Sequence, residues 1–206
     1  MKVLIINGSP VINGNSSKLI EQIIDVFKKE NIEVDLYQIG GKSIRGCMAC
    51  GHCYESGECV FKDDVNDLAK RFKEADGLVI TAPVYYGSAN GSVISLLDRL
   101  FYSSRFEKRF KVGAAFAIAR RAGTTATFDE LNKYFTISQM PVVSGRYWNN
   151  GFGGRPGEIE QDLEGMQNAR ITARNMVFLM KAIKDAKEKY GLPEKEDITS
   201  TNFIKQ

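Results

Sequence analysis

The hydrophobic pattern divides the chain into short apolar segments separated by longer amphipathic ones. Five segments have the length and the apolar or alternating character of β-strands: Val3–Ile6, Glu33–Tyr37, Gly77–Ala82, Lys111–Ala119 and Pro141–Ser144. The first is a continuous run of branched aliphatic side chains, which is typical of a strand buried on both faces of a parallel sheet. We therefore expect a sheet that is covered by helices on each side.

Between these strands, apolar residues recur at the spacing of one helix face. The first such stripe consists of Leu19, Ile20, Ile23, Ile24 and Phe27. Further helices are predicted after the capping pair Asp63-Asp64, around Val93–Leu100, at Phe128–Phe135 and from Asp162 to Tyr190. Strands that alternate with helices predict a doubly wound α/β fold with right-handed crossovers.

The length of 206 residues predicts one domain with a sizeable core. We expect residues 1–190 to form this domain, with an insertion at 44–62 that carries all four cysteines, and residues 191–206 to form a C-terminal arm. Apolar residues make up 43% of the chain and charged residues 26%, as in ordinary soluble globular proteins.

The formal net charge of +3, from 28 basic and 25 acidic residues, argues against a nucleic-acid partner. No segment approaches the roughly 18 apolar residues of a membrane-spanning helix, so we expect no membrane contact. A secretory leader is not visible before the first strand, and we therefore expect a cytoplasmic location. Cysteines in that reducing compartment are not expected to form disulfides.

A loop rich in glycine and serine joins the first strand to the first helix. It contains Gly8-Ser9-Pro10 and then Asn13-Gly14-Asn15-Ser16-Ser17. The unpaired N–H groups and the dipole of a helix N-terminus favour a phosphate there, and the serine hydroxyls add donors. The Walker motif and the dinucleotide motif G-x-G-x-x-G are both absent from the loop. A single phosphate held by neutral donors, as in FMN, fits best; a solvated turn with a serine cap is the alternative.

The four cysteines lie close together, in the spacing C-x2-C-x2-C-x5-C: Cys47, Cys50, Cys53 and Cys59. A zinc ribbon usually separates two C-x2-C pairs by a long loop. Three cysteines at intervals of three instead resemble a loop around one corner of an iron–sulfur cube, with a fourth thiolate further on. We expect a [4Fe–4S] cluster; a redox-active thiol loop without iron and a zinc site are the alternatives. The single histidine, His52, is not expected to be a ligand.

Two further loops should reach the carboxyl edge of the sheet, where open α/β sheets bind ligands. The loop after the third strand consists of Pro83, Val84, Tyr85, Tyr86 and Gly87. Its tyrosines either offer flat surfaces to a planar ring or simply cover the sheet edge. The loop after the fourth strand consists of Ala119, Arg120, Arg121, Ala122 and Gly123. Beyond the fifth strand, the glycine- and aromatic-rich segment Tyr147–Gly157 predicts a mobile flap or an interface loop without regular structure.

Together these motifs resemble the iron–sulfur flavoproteins, a branch of the NADPH-dependent FMN reductase group with the flavodoxin-like fold. The matching features are Gly8-Ser9-Pro10, Gly14-Asn15-Ser16, the cysteine loop, Asp63-Asp64, Ala75-Asp76, Ala82-Pro83-Val84-Tyr85, Leu97-Asp98-Arg99 and Gly165-Met166-Gln167. Only the cysteine spacing is specific to the iron–sulfur branch. The first motif and Pro83-Val84-Tyr85 also occur in many cluster-free FMN reductases.

The resemblance implies a five-stranded parallel sheet of order 2-1-3-4-5, FMN as cofactor, and homodimers or homotetramers. The FMN phosphate would be bound by the loop that contains Ser9, Pro10, Asn15, Ser16 and Ser17. The ring would lie along Pro83–Gly87, with Ala119–Gly123 on its pyrimidine side. In one departure from iron–sulfur relatives, Arg120-Arg121-Ala122 stands where they often have glycine and serine. Two cations there would stabilise the negative charge of the reduced flavin.

From these features we expect an electron-transfer flavoprotein in which electrons pass between the cluster and FMN, with the chemistry at flavin N5. No side chain is assigned as a catalytic acid or base. NAD(P)H or a ferredoxin-like protein would be the electron donor. The alternatives are a cluster-free NAD(P)H-dependent FMN, quinone or azo reductase, and a thiol or metal redox sensor.

Overall fold

The computed structural model describes residues 1–201 and 203. Residues 202 and 204–206, which belong to the predicted C-terminal arm, lie outside the described residues. The strands are β1 Lys2–Asn7, β2 Glu33–Gln38, β3 Gly77–Tyr85, β4 Ser88–Ala89, β5 Val112–Ala119 and β6 Asn150–Phe152. The helices are α1 Asn15–Lys29, α2 His52–Ser56, α3 Asp64–Glu74, α4 Gly91–Ser103, α5 Thr124–Ile137 and α6 Leu163–Tyr190, with a 3-10 turn at Glu158–Gln161.

The sheet is parallel and has the order β2-β1-β3-β5-β6. The short strand β4 folds back on the end of β3 as an antiparallel hairpin and is not part of that order. Without this hairpin, the order is the 2-1-3-4-5 of the flavodoxin-like fold, as expected. Each crossover between neighbouring strands places a helix on one face of the sheet.

Hydrophobic cores lie on both faces of the sheet because successive side chains of a strand point to opposite sides. Val3 and Ile5 of β1 pack with α1 and α6, whereas Leu4 and Ile6 pack with α3, α4 and α5. All four side chains are fully buried, and each contributes roughly 1.5–3 kcal/mol through its removal from water. This burial on both sides accounts for the continuous apolar run in the sequence.

The predicted fifth strand, Pro141–Ser144, is wrong as placed. This segment makes a single parallel bridge, Gly113 to Val142. The fifth position of the sheet is occupied by β6, whose Asn150 and Phe152 pair with Ala117 and Ala119. A regular strand therefore lies inside the segment Tyr147–Gly157, for which no regular structure was predicted.

The side chain of Asn168 in α6 explains why the strand is interrupted. Its Oδ1 accepts hydrogen bonds from the backbone N–H groups of Arg146 (2.8 Å) and Tyr147 (3.2 Å). Its Nδ2 donates to Asn149 Oδ1 at 2.9 Å. Since these backbone groups bond to a helix side chain, they cannot pair with β5. The chain leaves the sheet here and rejoins it at Asn150.

The described helices include none that combines the length and the apolar character needed to cross a membrane.

Candidate cofactor site

The loop between β1 and α1 is held against the neighbouring strand by close backbone contact. Gly8 N–H donates to the carbonyl of Thr81 at 2.8 Å. A Cβ at position 8 would stand 2.7 Å from that same oxygen and 2.9 Å from Val93 Cγ2. Only glycine therefore lets the chain turn from β1 toward α1 at this point.

Asn7, a buried residue at the end of β1, fixes the shape of this loop. Its Nδ2 donates to Ser17 Oγ (3.1 Å) and Gln38 Oε1 (2.7 Å). Its Oδ1 accepts from Ser9 N–H (3.1 Å) and from Thr81 Oγ1 (3.4 Å). Asn7 was not predicted as a site residue, although a polar residue that ends a buried strand is a signal for such a role.

The first turn of α1 faces the loop, as the phosphate prediction requires. The backbone N–H groups of Asn15, Ser16 and Ser17 stand at the helix N-terminus, where such groups lack intrahelical partners and the dipole favours an anion. Ser9 Oγ accepts from Val11 N–H at 3.1 Å, which leaves its own proton available to a ligand. Ser17 Oγ donates to the carbonyl of Ile12, so Ser17 offers a ligand its backbone N–H.

The side chain of Asn15 forms its hydrogen bonds within the protein. Its Nδ2 donates to the carbonyl of Gly153 at 2.8 Å, and its Oδ1 accepts from Ile159 N–H at 3.2 Å. Both ends of the amide are thus used within the protein. The side chain ties residues 153–159, which we call the strap, to the N-terminus of α1. Asn15 can still offer its backbone N–H to a phosphate.

The strap also contacts the loop after β5. Gly153 N–H donates to the carbonyl of Ala119 at 3.0 Å. Glu158 accepts from the backbone N–H groups of Gly154 and Arg155, both at 2.8 Å, and these bonds lower the pKa of its carboxyl. The strap therefore connects the phosphate loop with the predicted pyrimidine-side loop and is held in place by hydrogen bonds.

Two segments are predicted to contact the flavin ring: the ring loop Pro83–Gly87 and the pyrimidine-side loop Ala119–Gly123. They touch each other at Gly123. This residue has φ +86°, and a Cβ there would lie 2.7 Å from Val84 Cγ1 and 3.4 Å from Gly87 Cα. Beside this contact, Tyr85 is half exposed and Tyr86 is fully exposed. Tyr86 has φ +60°, a strained value for an aromatic residue. The rings of both tyrosines are thus accessible to a planar ligand.

Asn90, which precedes α4, joins the phosphate loop between β1 and α1 to the ring loop Pro83–Gly87. Its Nδ2 donates to the carbonyl of Gly8 at 2.9 Å, and its backbone N–H donates to the carbonyl of Pro83 at 3.1 Å. The residue is only 3% exposed, and its Oδ1 has no hydrogen-bond partner among the described residues. An unpaired buried acceptor at this position suits a ligand hydroxyl. Asn90 was not predicted as a site residue from the sequence.

The four cysteines lie on a second surface, where they line one cavity together. Arg99, Tyr102 and Ser103 of α4 form its inner wall. The thiols are free; Cys47 and Cys50 are exposed, and Cys53 and Cys59 are partly buried.

In the described residues, no three His, Cys, Asp or Glu side chains form a group that could hold a single metal ion. A [4Fe–4S] cube would take one thiolate on each of its four irons, and the four cysteines that line this cavity match that donor set in number and kind.

Cys59 is the most firmly held of the four. Asn66 of α3 accepts from its backbone N–H (2.8 Å) and donates to its carbonyl (2.9 Å). Arg99 of α4 donates to its sulfur. The cysteine loop is thus anchored between two helices of the domain. Arg99 lies eight residues beyond Gly91, the first residue of α4, which is ~12 Å along the helix axis.

The predicted flavin residues therefore lie at the carboxyl edge of the sheet, in the β1–α1 loop and the first turn of α1, at the end of β3 and in the loop after β5. Pro83, Val84 and Tyr85 were predicted as a loop, but they are the last residues of β3, because β4 pairs with this end of the strand. The predicted metal ligands lie apart from them, beside the last turns of α4. Because α4 begins directly after the ring loop and β4, this one helix connects the two groups of residues.

The chain is similar to known proteins over most of its length. The profile of the NADPH-dependent FMN reductase family matches residues 1–154. An iron–sulfur flavoprotein of Methanocaldococcus jannaschii is 33% identical over 196 residues, which cover 89% of this chain and 100% of the relative. An iron–sulfur flavoprotein of Methanosarcina thermophila is 31% identical over 194 residues, with 92% and 100% covered.

Among solved structures, the NAD(P)H:quinone oxidoreductase of Methanothermobacter marburgensis superposes with a TM-score of 0.66 at 15% identity, and the match covers 85% of this chain and 96% of that one. At this identity the likeness shows the fold. The sequence matches show more, because they extend over nearly the whole length of both chains. The chain belongs to the NADPH-dependent FMN reductase family, in the group of the iron–sulfur flavoproteins, and is an FMN-dependent oxidoreductase.

Proposed function

We propose that the protein transfers electrons between a [4Fe–4S] cluster on Cys47, Cys50, Cys53 and Cys59 and an FMN at the carboxyl edge of the sheet. The observation that carries this proposal is the cavity that the four thiols line together. This cavity lies against α4, the helix that follows the ring loop and β4. The names of the two archaeal relatives support it.

Each loop has a part in binding FMN. The N–H groups at the start of α1 and the hydroxyl of Ser9 bind the phosphate. The Oδ1 atom of Asn90 accepts a hydrogen bond from a hydroxyl of the bound cofactor. Pro83, Val84 and Gly87 support the ring beside the tyrosines, and the strap excludes water from the phosphate end. When bound, FMN interconverts one- and two-electron chemistry and the cluster carries single electrons.

Arg120 and Arg121 provide positive charge at the pyrimidine side of the ring. Both are exposed residues of the loop that ends at Gly123, and Gly123 lies against the backbone of Tyr86. Cations at this place stabilise negative charge on the reduced flavin. A ferredoxin-like protein or NAD(P)H serves as electron donor. As further parts of the proposal, the protein acts in the cytoplasm as a homodimer or homotetramer, without nucleic-acid or membrane partners.

The test is anaerobic purification followed by an absorption spectrum and by assays of iron and acid-labile sulfide. We expect flavin bands together with a broad thiolate–iron band, and about four irons per chain. Flavin bands without iron would contradict the cluster. A protein that binds neither FMN nor iron would show that the phosphate loop is misassigned.

A second candidate is a cluster-free NAD(P)H-dependent FMN, quinone or azo reductase. The exposed cations of Arg120 and Arg121 and the exposed ring of Tyr86 favour it, since a nicotinamide dinucleotide carries anionic phosphates and planar rings. Steady-state oxidation of NADPH or NADH by iron-free protein would support this candidate. Inertness to both nucleotides, together with reduction by a ferredoxin, would exclude it.

A further inference from the structure

The guanidinium group of Arg99 is buried directly behind the cysteine loop. The residue is 1% exposed, and each of its five N–H donors has an acceptor. Nη1 and Nη2 donate to the two carboxylate oxygens of Asp63, both at 2.7 Å, and Nη1 also donates to the carbonyl of Arg45 at 3.1 Å. The ring of Phe61 covers the guanidinium, 4.9 Å from centroid to Cζ.

The remaining donors of Arg99 point at one sulfur atom. Nε and Nη2 lie 3.3 and 3.2 Å from Cys59 Sγ. Within the described residues, Cys59 is the one cysteine whose sulfur accepts a hydrogen bond. The four predicted ligands are therefore not equivalent: one thiolate stands beside a fixed cation, and the other three lie on the outer part of the loop.

We propose that Arg99 is a positioning residue that raises the reduction potential of the cluster through Cys59, and that Asp63 moderates this effect. The inference rests on the proposed cluster. Reduction adds one electron, with no bond made or broken and no proton required, so it adds one negative charge. A cation and two N–H donors at a ligand sulfur stabilise that added charge, and burial strengthens the interaction because water does not screen it.

Asp63 acts in the opposite direction. Its carboxylate holds the guanidinium in a bidentate pair, and this pairing lowers the pKa of Asp63. Because its negative charge offsets part of the positive charge near Cys59, neutralising Asp63 should favour the reduced state. Asp63 also caps α3 by accepting from Val65 N–H, and asparagine can cap a helix equally well.

The experiment is a potentiometric titration of the cluster, followed by electron paramagnetic resonance, on anaerobically purified holoprotein. For Arg99→Gln we expect the reduced state to become at least tenfold less stable relative to the oxidised state, which corresponds to a potential about 59 mV lower. Asp63→Asn should shift the potential upward. Arg71→Gln is the matched control, because it breaks a similar bidentate pair with Asp35 away from the cysteines and should cause no shift.

Iron, sulfide and FMN contents are measured before each titration. Loaded Arg99→Gln and Asp63→Asn proteins with the wild-type potential would overturn the inference, as would shifts of the same sign. If Arg99→Gln does not retain iron, Arg99→Lys and Asp63→Asn decide: an unchanged potential in both refutes the role of Arg99. Absence of iron from the wild-type protein is a different result, since it refutes the proposed cluster itself.

Discussion

Asn15 and Gly153 are joined by a hydrogen bond of 2.8 Å, although they lie 138 residues apart in the chain. A second bond, from Ile159 N–H to Asn15 Oδ1, completes the attachment of the strap to α1. This pair of bonds uses the side-chain amide of Asn15, a residue of the loop predicted to bind the phosphate. It makes the phosphate end of the site depend on a segment distant in sequence.

We expect Asn15→Ala to release the strap. Loss of two partly buried hydrogen bonds should lower the free energy of unfolding by about 1–3 kcal/mol. FMN affinity should fall about 5- to 10-fold, because the strap no longer covers the phosphate loop. Urea unfolding and fluorescence titration of apoprotein with FMN measure the two effects. Asn175→Ala, which removes an exposed bond to the carbonyl of Ser144, is the control and should leave FMN affinity unchanged.

Gly123→Ala should weaken the contact between the two ring loops. The residue has φ +86°, and the new methyl group would lie 2.7 Å from Val84 Cγ1. We expect a loss of about 1–3 kcal/mol in stability together with weaker FMN binding. In Gly91→Ala, by contrast, the methyl group has no neighbouring heavy atom within 4 Å and lies on the first residue of α4, so stability should stay constant or rise. Equal effects of both substitutions would contradict this account.

The protein should lose stability in acid partly through Asp35. Its bidentate hydrogen bonds with Arg71 hold its pKa below the ordinary value of 3.8. The unfolded chain therefore binds protons more readily, so this contribution is complete above pH 3.8 and is lost as the pH falls through the lower folded value. Asp35→Asn should lower Tm at neutral pH and flatten the decline of Tm in acid.

Thermal unfolding between pH 7 and pH 2.5 provides the measurement. Asp25→Asn is the matched control, because Asp25 is an exposed carboxylate on α1 that has no ion pair among the described residues. It should reproduce the wild-type curve. An unchanged acid decline in Asp35→Asn would show that other carboxylates dominate.

Cys50→Ser should abolish the iron content and leave FMN bound, because the two sites lie in separate parts of the fold. Since Cys50 is exposed, the unfolding free energy of the apoprotein should change by less than about 0.5 kcal/mol. Cys59→Ser should cost about 1–3 kcal/mol, because a smaller oxygen replaces the sulfur against Arg99. Loss of FMN from folded Cys50→Ser would refute the separation of the two sites.

The sequence predicted those parts of the fold that depend on local pattern. The apolar runs of β1, β3 and β5 and the stripes of α1 and α4 identify elements buried on one or both faces, and such burial leaves a clear period in the chain. The edge strand was misplaced because the local pattern does not determine which segment pairs with β5. Val142 and Val143 have strand character, whereas Asn150–Phe152 does not, and here the pairing was decided by Asn168 in a distant helix.

Site residues were predictable where the loop alone determines the chemistry. The cysteine spacing and the glycine–serine loop belong to this class. Arg99 was part of a family motif, but its contact with Cys59 requires α3, α4 and the loop to meet. A charged residue among the leucines of a helix is a signal of such a role. Asn90 and Asn7 likewise act through contacts across strands.

The strap has a consequence for synthesis on the ribosome. Strands β1, β2, β3 and β5 can pair as they emerge, since domains begin to fold from the N-terminus. Asn15 obtains both partners only when residue 159 of the 206 has left the exit tunnel. We therefore expect a nascent chain to form most of its sheet before it reaches its full affinity for FMN.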